Sequence, residues 1–144
     1  MIVQQIMKSK AAGGVATIAP AAGLDAAVAA MAERRIGALV VSRTGADVEG
    51  IVSERDIVRE LAARGPACLG RTVGEVMTRT IVTCAPADTA QSVLERMTAG
   101  RFRHMPVLEG GEMVGLISIG DVVKARLDEL GAEMDALEGM IKGF

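Results

Sequence analysis

Two stretches of the chain share a pattern with chemical content: Gly50-Ile51-Val52-Ser53-Glu54-Arg55-Asp56 and Gly115-Leu116-Ile117-Ser118-Ile119-Gly120-Asp121. Each closes an apolar, β-prone run and opens a helical one, so Ser and Asp fall on the first turn of a helix. Two uses fit that placement. Ser-x-x-acid before an apolar run is a capping box, in which the hydroxyl accepts a backbone N–H and the acid reaches back. The same geometry can hold a ligand: orphan N–H groups attract a phosphate, the hydroxyl adds a donor, and a carboxylate can accept from both hydroxyls of a ribose.

Positive charge gathers near these motifs. Arg55 and Arg59 lie on the helix that Ser53 opens, Arg34 and Arg35 close an earlier helix, and Arg101, Arg103 and His104 precede a strand. Arg34, Arg59 and Arg101 read as solvated surface charges. Arg103-His104 stands out, because the other half of the chain has Gly37-Ala38 there. A basic pair facing Gly-Ala gives one wall for phosphate and one smooth wall for a base. The two motifs also differ, since Gly120 stands where the first has Arg55, and the first is expected to offer more charge. A Cys84–His104 nucleophile pair is conceivable, but no third residue to orient it is evident, so no enzyme is expected. Cys68 and Cys84 fit no zinc spacing and read as reduced thiols; no metal site is expected.

The motifs are placed by an internal duplication. Thr17-Ile18-Ala19-Pro20-Ala21 reappears 66 residues on as Thr83-Cys84-Ala85-Pro86-Ala87, with Met31 on Met97, Arg35 on Arg101 and Val41 on Val107. Past the next turn the offset is 65, as when a hairpin loop loses one residue. Each repeat reads as strand, helix, two strands, helix. In the first, these are Val15 to Ile18, a helix capped by Asp25 and ending near Arg34-Arg35, Leu39 to Val41, Val48 to Val52, and a helix from Ser53 with Ile57, Val58 and Leu61 on one face. In the second they are Ile81 to Cys84, Asp88 to Met97, Met105 to Leu108, Glu112 to Ile117, and Ser118 to Arg126. A short helix around Val73, Val76 and Met77 connects the repeats, and Val3, Ile6 and Met7 mark an equivalent helix before the first. The expected division is 1–14 helix and linker, 15–64 first repeat, 65–80 connector, 81–126 second repeat and 127–144 helical extension.

Neither repeat can bury its sheet alone, so an α+β fold is expected, with two β-α-β-β-α units packed through their sheets about a pseudo-twofold axis. That packing makes two clefts, each built from both repeats. Composition agrees with a small-molecule site: the 144 residues are 50% hydrophobic with formal net charge −2 and no Trp or Tyr. There is no bulk positive field for nucleic acid and little to stack bases on. The longest charge-free stretch, Ala11 to Leu24, is too short and too Ala-rich to span a bilayer. The N-terminus lacks the pattern of a signal peptide, so a cytoplasmic location is expected.

Together, Gly-Ile-Val-Ser-Glu-Arg-Asp-Ile-Val, Arg-Phe-Arg-His-Met-Pro-Val, Gly-Leu-Ile-Ser-Ile-Gly-Asp-Val-Val and a preceding Val-Met-Thr resemble a tandem pair of cystathionine-β-synthase-type (CBS) domains, a Bateman module. The resemblance covers about Val15 to Arg126. It implies a non-catalytic regulatory or sensor module whose clefts bind AMP, ADP, ATP or NAD(H), with S-adenosylmethionine less favoured. It puts Asp56 and Asp121 on ribose hydroxyls, Ser53 and Ser118 on phosphate, and Arg103 and His104 as the basic phosphate-contacting pair. Gly13, Gly14, Val15, Arg79, Thr80 and Ile81 would line the adenine pocket with Ile36, Gly37 and Ala38. Arg55, Phe102, Pro106 and Leu116 complete the expected site, Phe102 being the one aromatic within reach of a base. The partners expected are a small-molecule nucleotide and an effector protein whose identity the resemblance leaves open. The alternative is an interaction or scaffold module with vestigial, ligand-free clefts. Leu127, Leu130, Met134, Leu137 and Ile141 recur at three- and four-residue steps, a seam suited to a homodimer or to packing on the same chain.

Overall fold

A computed structural model of the chain describes residues 1–10 and 14–142; Gly13 lies outside these. The first repeat holds β1 (Thr17–Ile18), α2 (Leu24–Arg34), β2 (Ala38–Val41), β3 (Gly50–Ser53) and α3 (Glu54–Arg64), after an N-terminal α1 (Val3–Ser9). A 3-10 turn (Pro66–Gly70) and α4 (Val73–Val76) lead to the second repeat, α5 (Ala90–Gly100), β4 (His104–Glu109), β5 (Glu112–Ser118) and α6 (Ile119–Ile141). β2 pairs parallel with β1 and antiparallel with β3; β4 and β5 form an antiparallel pair. All four residues of β2 are buried, so both of its faces are covered.

Several expected elements differ. Ile81 to Cys84 forms no strand; only Cys84 bridges to Val107. Pro106 explains this. In the first repeat Val40 N–H donates to the Ala16 carbonyl and Ser42 N–H to Ile18. In the second, Leu108 N–H donates to Cys84, but the residue matching Val40 is Pro106, which has no N–H to give. One ladder bond is lost and the strand shrinks to a bridge. The helix expected to be capped by Asp25 is capped by Gly23 instead. Tertiary pairing sets that start, through the Gly23–Thr72 bridge and Leu24 N–H donating to Arg71 at 2.8 Å. On α3 only Ile57 is buried, while Val58 is 63% exposed. The helix expected over Asp88 to Met97 runs from Ala90 to Gly100, capped by Thr89. The C-terminal extension is the continuation of α6.

The core has two centres. Leu24, Leu39, Val41, Val52 and Ile57 pack with Cys68, Val73 and Met77 of the connector. Val93, Met97, Met105, Val107, Ile117 and Val122 pack with Val3 and Ile6 of α1. Each preceding helix thus serves the repeat that it does not directly precede in the expected order: α1 docks on the second repeat, through Val3 N–H to Asp88 and Gln4 N–H to Pro86, and α4 on the first. Gly50 and Gly115 are where these segments press against the sheets. A Cβ at Gly50 would meet Met77 and the Thr78 carbonyl, and one at Gly115 would meet Met7.

Candidate functional site

Both Ser-x-x-Asp motifs form reciprocal capping boxes. Asp56 Oδ2 accepts from Ser53 N–H at 2.9 Å while Ser53 Oγ accepts from Asp56 N–H at 3.4 Å. Asp121 Oδ2 accepts from Ser118 N–H at 2.8 Å, with Ser118 Oγ accepting in return at 3.2 Å. These bonds begin α3 and α6 sharply at the ends of β3 and β5. They also fix each carboxylate at a strand-to-helix junction, with Asp56 half-buried beside open space.

That space is a cavity of about 860 Å³ between the repeats. The first repeat contributes Gly37, Ile51, Ser53, Glu54, Arg55, Asp56 and Arg59; the connector, Thr78 and Thr80; the second repeat, Ile81, Val82, Met97, Thr98, Gly100 to His104 and Ile119. Of the residues expected from the sequence, Gly37, Ser53, Arg55, Asp56, Thr80, Ile81, Phe102, Arg103 and His104 are brought together here. The others lie elsewhere. Ile36 lines a separate groove between α2 and α3, and Ala38 is buried in β2 opposite Ser53. Arg79 donates to the Gly74 carbonyl, and the Pro106 carbonyl accepts from Cys84 N–H. Gly14, Val15, Leu116, Ser118 and Asp121 are not among the lining residues.

Sequence reasoning placed Arg59 and Arg101 on the open surface; both line the cavity. Arg101 closes α5 in a left-handed conformation (φ 57°), and its carbonyl accepts from Arg55 Nη1 at 3.3 Å. Four arginines therefore face this volume against two carboxylates, Glu54 and Asp56. Among the described residues none of the four is within ion-pair distance of an acid, whereas Arg43, Arg64, Arg71, Arg96 and Arg126 all are. Unpaired cations in a concave site focus a positive potential on it.

His104 opens β4 opposite Ser118. Burial holds its pKa below the ordinary value, with Lys10 and Arg103 acting the same way and Glu54 and Asp121 opposing them. The ring is neutral at pH 7 and can accept or donate a hydrogen bond at the cavity wall. Phe102 packs on the second repeat's core and folds over Gly100, leaving part of its ring to the cavity. Ile51, Ile81, Val82 and Ile119 supply apolar wall. Thr78 Oγ1 donates to Asp56 Oδ1 at 3.2 Å, a partner that the sequence did not suggest.

Neither cysteine belongs to this cavity: both are buried, and burial pushes the Cys84 thiol up to about 11. Among the described residues no cluster of His, Cys, Asp or Glu could hold a metal ion, and no helix is long and apolar enough to cross a membrane.

The CBS domain family model matches residues 3–63 and 73–128. The chain is 36% identical over 121 residues to the mitochondrial CBS domain-containing protein CBSX3 of Arabidopsis thaliana, covering 81% of this chain and 59% of that one. The chain thus spans about three fifths of this relative's length. A crystal structure of a CBS-domain-containing protein from Agrobacterium tumefaciens is 41% identical, covers 87% of this chain and 92% of its own, and superposes with a TM-score of 0.82. The fold also matches, at 19% identity and TM-score 0.75 over 90% and 98% of the two chains, a CBS domain pair solved in complex with 5′-methylthioadenosine and S-adenosyl-L-methionine. With the duplicated strand-to-helix junctions and the cleft between them, these matches make the chain a tandem pair of CBS domains, a member of the CBS-domain family.

Proposed function

We propose that the cavity between the repeats binds a phosphorylated adenosine nucleotide, such as AMP, ADP, ATP or NAD(H), and that the chain is a non-catalytic regulatory module that reports its level to an effector. The observation that carries this reading is the charge of the cleft. Four arginines without acid partners surround one carboxylate held at a helix start. Among the described residues Asp56 Oδ1 accepts only from Thr78, and it keeps capacity for a ribose hydroxyl. Arg55, Arg59, Arg101 and Arg103 suit phosphate oxygens. The same charge disfavours S-adenosylmethionine, whose sulfonium would face an already positive wall. Adenine would lie against Ile51, Ile81 and Val82, with the Phe102 ring beside them. Binding of two adenosine compounds by a CBS pair of the same fold supports the ligand class.

The experiment is to denature protein purified from cells, identify released nucleotides by mass spectrometry, and then titrate the stripped protein with each candidate. Saturable binding of a phosphorylated adenosine compound is expected, weakened by Arg103→Ala. No binding of any candidate would sink the reading. One observation favours the alternative of ligand-free clefts: both Ser-x-x-Asp motifs form reciprocal caps. That reading expects Asp56→Asn to alter stability alone, with a protein partner co-purifying.

A homo-oligomer is part of the proposal. α6 runs well past its buried Val122 and Ala125, and Leu127, Leu130, Met134, Leu137 and Ile141 are 46 to 85% exposed along it. A second copy's α6 would cover that seam.

A further inference from the structure

The segments preceding the two repeats end at the two Ser-x-x-Asp motifs, and they end with different chemistry. At the first cleft Thr78 makes two contacts. Its backbone N–H donates to the Ile51 carbonyl at 2.8 Å, and its hydroxyl donates to Asp56 Oδ1 at 3.2 Å. By the 65-residue offset, Ile51 and Asp56 correspond to Leu116 and Asp121. At the second cleft one group reaches both acceptors. Lys10 Nζ lies 2.7 Å from the Leu116 carbonyl oxygen and 2.8 Å from Asp121 Oδ2. The lysine is aimed there by α1, whose Met7 seats on Gly115 as Met77 seats on Gly50.

The substitution changes what each carboxylate has left to offer. A hydroxyl leaves Asp56 its full charge. An ammonium neutralises Asp121, through Oδ2, the oxygen that also accepts from Ser118 N–H. The pair is part-buried, with 39% of the lysine side chain and 24% of the aspartate exposed, so it is less screened than a surface pair. Burial alone would raise the Asp121 pKa, yet it lies below the ordinary value, with the hydrogen bond from Lys10 the largest lowering influence.

We propose that Lys10 neutralises the ribose-recognition carboxylate of the second repeat, so that each chain takes a single nucleotide, in the first cleft, and Lys10 is the residue that sets this limit. The inference rests on the nucleotide reading above and adds to it which cleft is used and why. It explains how a duplicated motif can serve as a binding group in one copy and as a cap with an internal counter-ion in the other.

The test is a titration of the full chain with ADP, followed by calorimetry for stoichiometry and by amide NMR for location. Wild type is expected to take up one ADP, with shifts at Ser53 and Asp56 and none at Ser118 and Asp121. Lys10→Thr, which gives the second cleft a neutral hydroxyl as in the first, is expected to take up two, with Ser118 and Asp121 now responding. Lys10→Arg keeps a cation and is expected to stay at one. Two ADP per wild-type chain would overturn the proposal, as would a silent Ser118 in Lys10→Thr while Ser53 responds. If Ser118 responds in Lys10→Thr but Ser53 responds in neither variant, the role of Lys10 stands and the reading of the first cleft falls. Silence at both clefts in both variants overturns both.

Discussion

Replacing Asp56 by Asn separates ligand recognition from helix capping, because the amide keeps one oxygen to accept from Ser53 N–H. The cap contributes about 1 kcal/mol, and part of it survives, so the ligand-free protein is expected to lose less than that. Recognition loses more. A ribose hydroxyl donating to a carboxylate makes a charge-assisted bond worth about 1.5–3 kcal/mol, and at about 1.4 kcal/mol per tenfold this weakens binding roughly 10- to 150-fold. At a ligand concentration about 100 times Kd the wild type gains about 2.7 kcal/mol. A complex about 30-fold weaker retains about 0.9 kcal/mol at that concentration by the same relation. At about 3 °C per kcal/mol for a chain of this size, the ligand-induced rise in Tm falls from about 8 °C to about 3 °C. Differential scanning fluorimetry with and without ADP reads this directly. Asp121→Asn is the matched control: it weakens an equivalent cap, but its carboxylate already holds Lys10, so it should leave the ADP shift nearly intact. Equal loss in the two variants, or a full ADP shift in Asp56→Asn, would refute the reasoning.

Stability should fall as pH drops below about 6.5, the ordinary histidine value, because the folded chain resists protonating His104 while the unfolded chain does not. A further fall follows below about 3.8, where Asp88 and Asp121, both held below that ordinary value, lose their folded-state advantage. Urea titrations at pH 8, 6 and 5 check the first step, which His104→Gln should remove. Gly50→Ala is expected to cost about 3 kcal/mol and Gly115→Ala about 1 kcal/mol, since the first meets the Thr78 carbonyl 2.8 Å away and the second only the flexible Met7; chemical denaturation measures both. Leu130→Glu with Leu137→Glu should convert an oligomer to a monomer in light scattering without loss of helicity, and an unchanged mass would remove α6 from the interface.

The sequence carried the architecture because the duplication aligned two weak patterns against each other. The order of elements, both capping boxes and the inter-repeat position of the cleft could be read from Gly50 to Asp56 and Gly115 to Asp121. What it missed depended on long-range geometry. Pro106 reads as one more residue of a strand, and its missing N–H matters only because Val82 lies where a partner would be. Arg59 and Arg101 look like solvated charges until α3 and the end of α5 are brought to one cavity. Lys10 gave no signal, since its target lies 111 residues away and the link exists only because α1 crosses to the second repeat. Conversely, Gly14 and Val15 were expected at a pocket and are not among the residues lining the cavity.

The central claim is that the arginine-lined cleft takes a phosphorylated adenosine nucleotide. Calorimetric titration of the stripped protein with ADP and, in parallel, with S-adenosylmethionine tests it most directly. The account predicts saturable ADP binding that weakens with added salt and with Arg103→Ala, and much weaker binding of S-adenosylmethionine. Heat of dilution alone for ADP, or tighter binding of S-adenosylmethionine than of ADP, would contradict it.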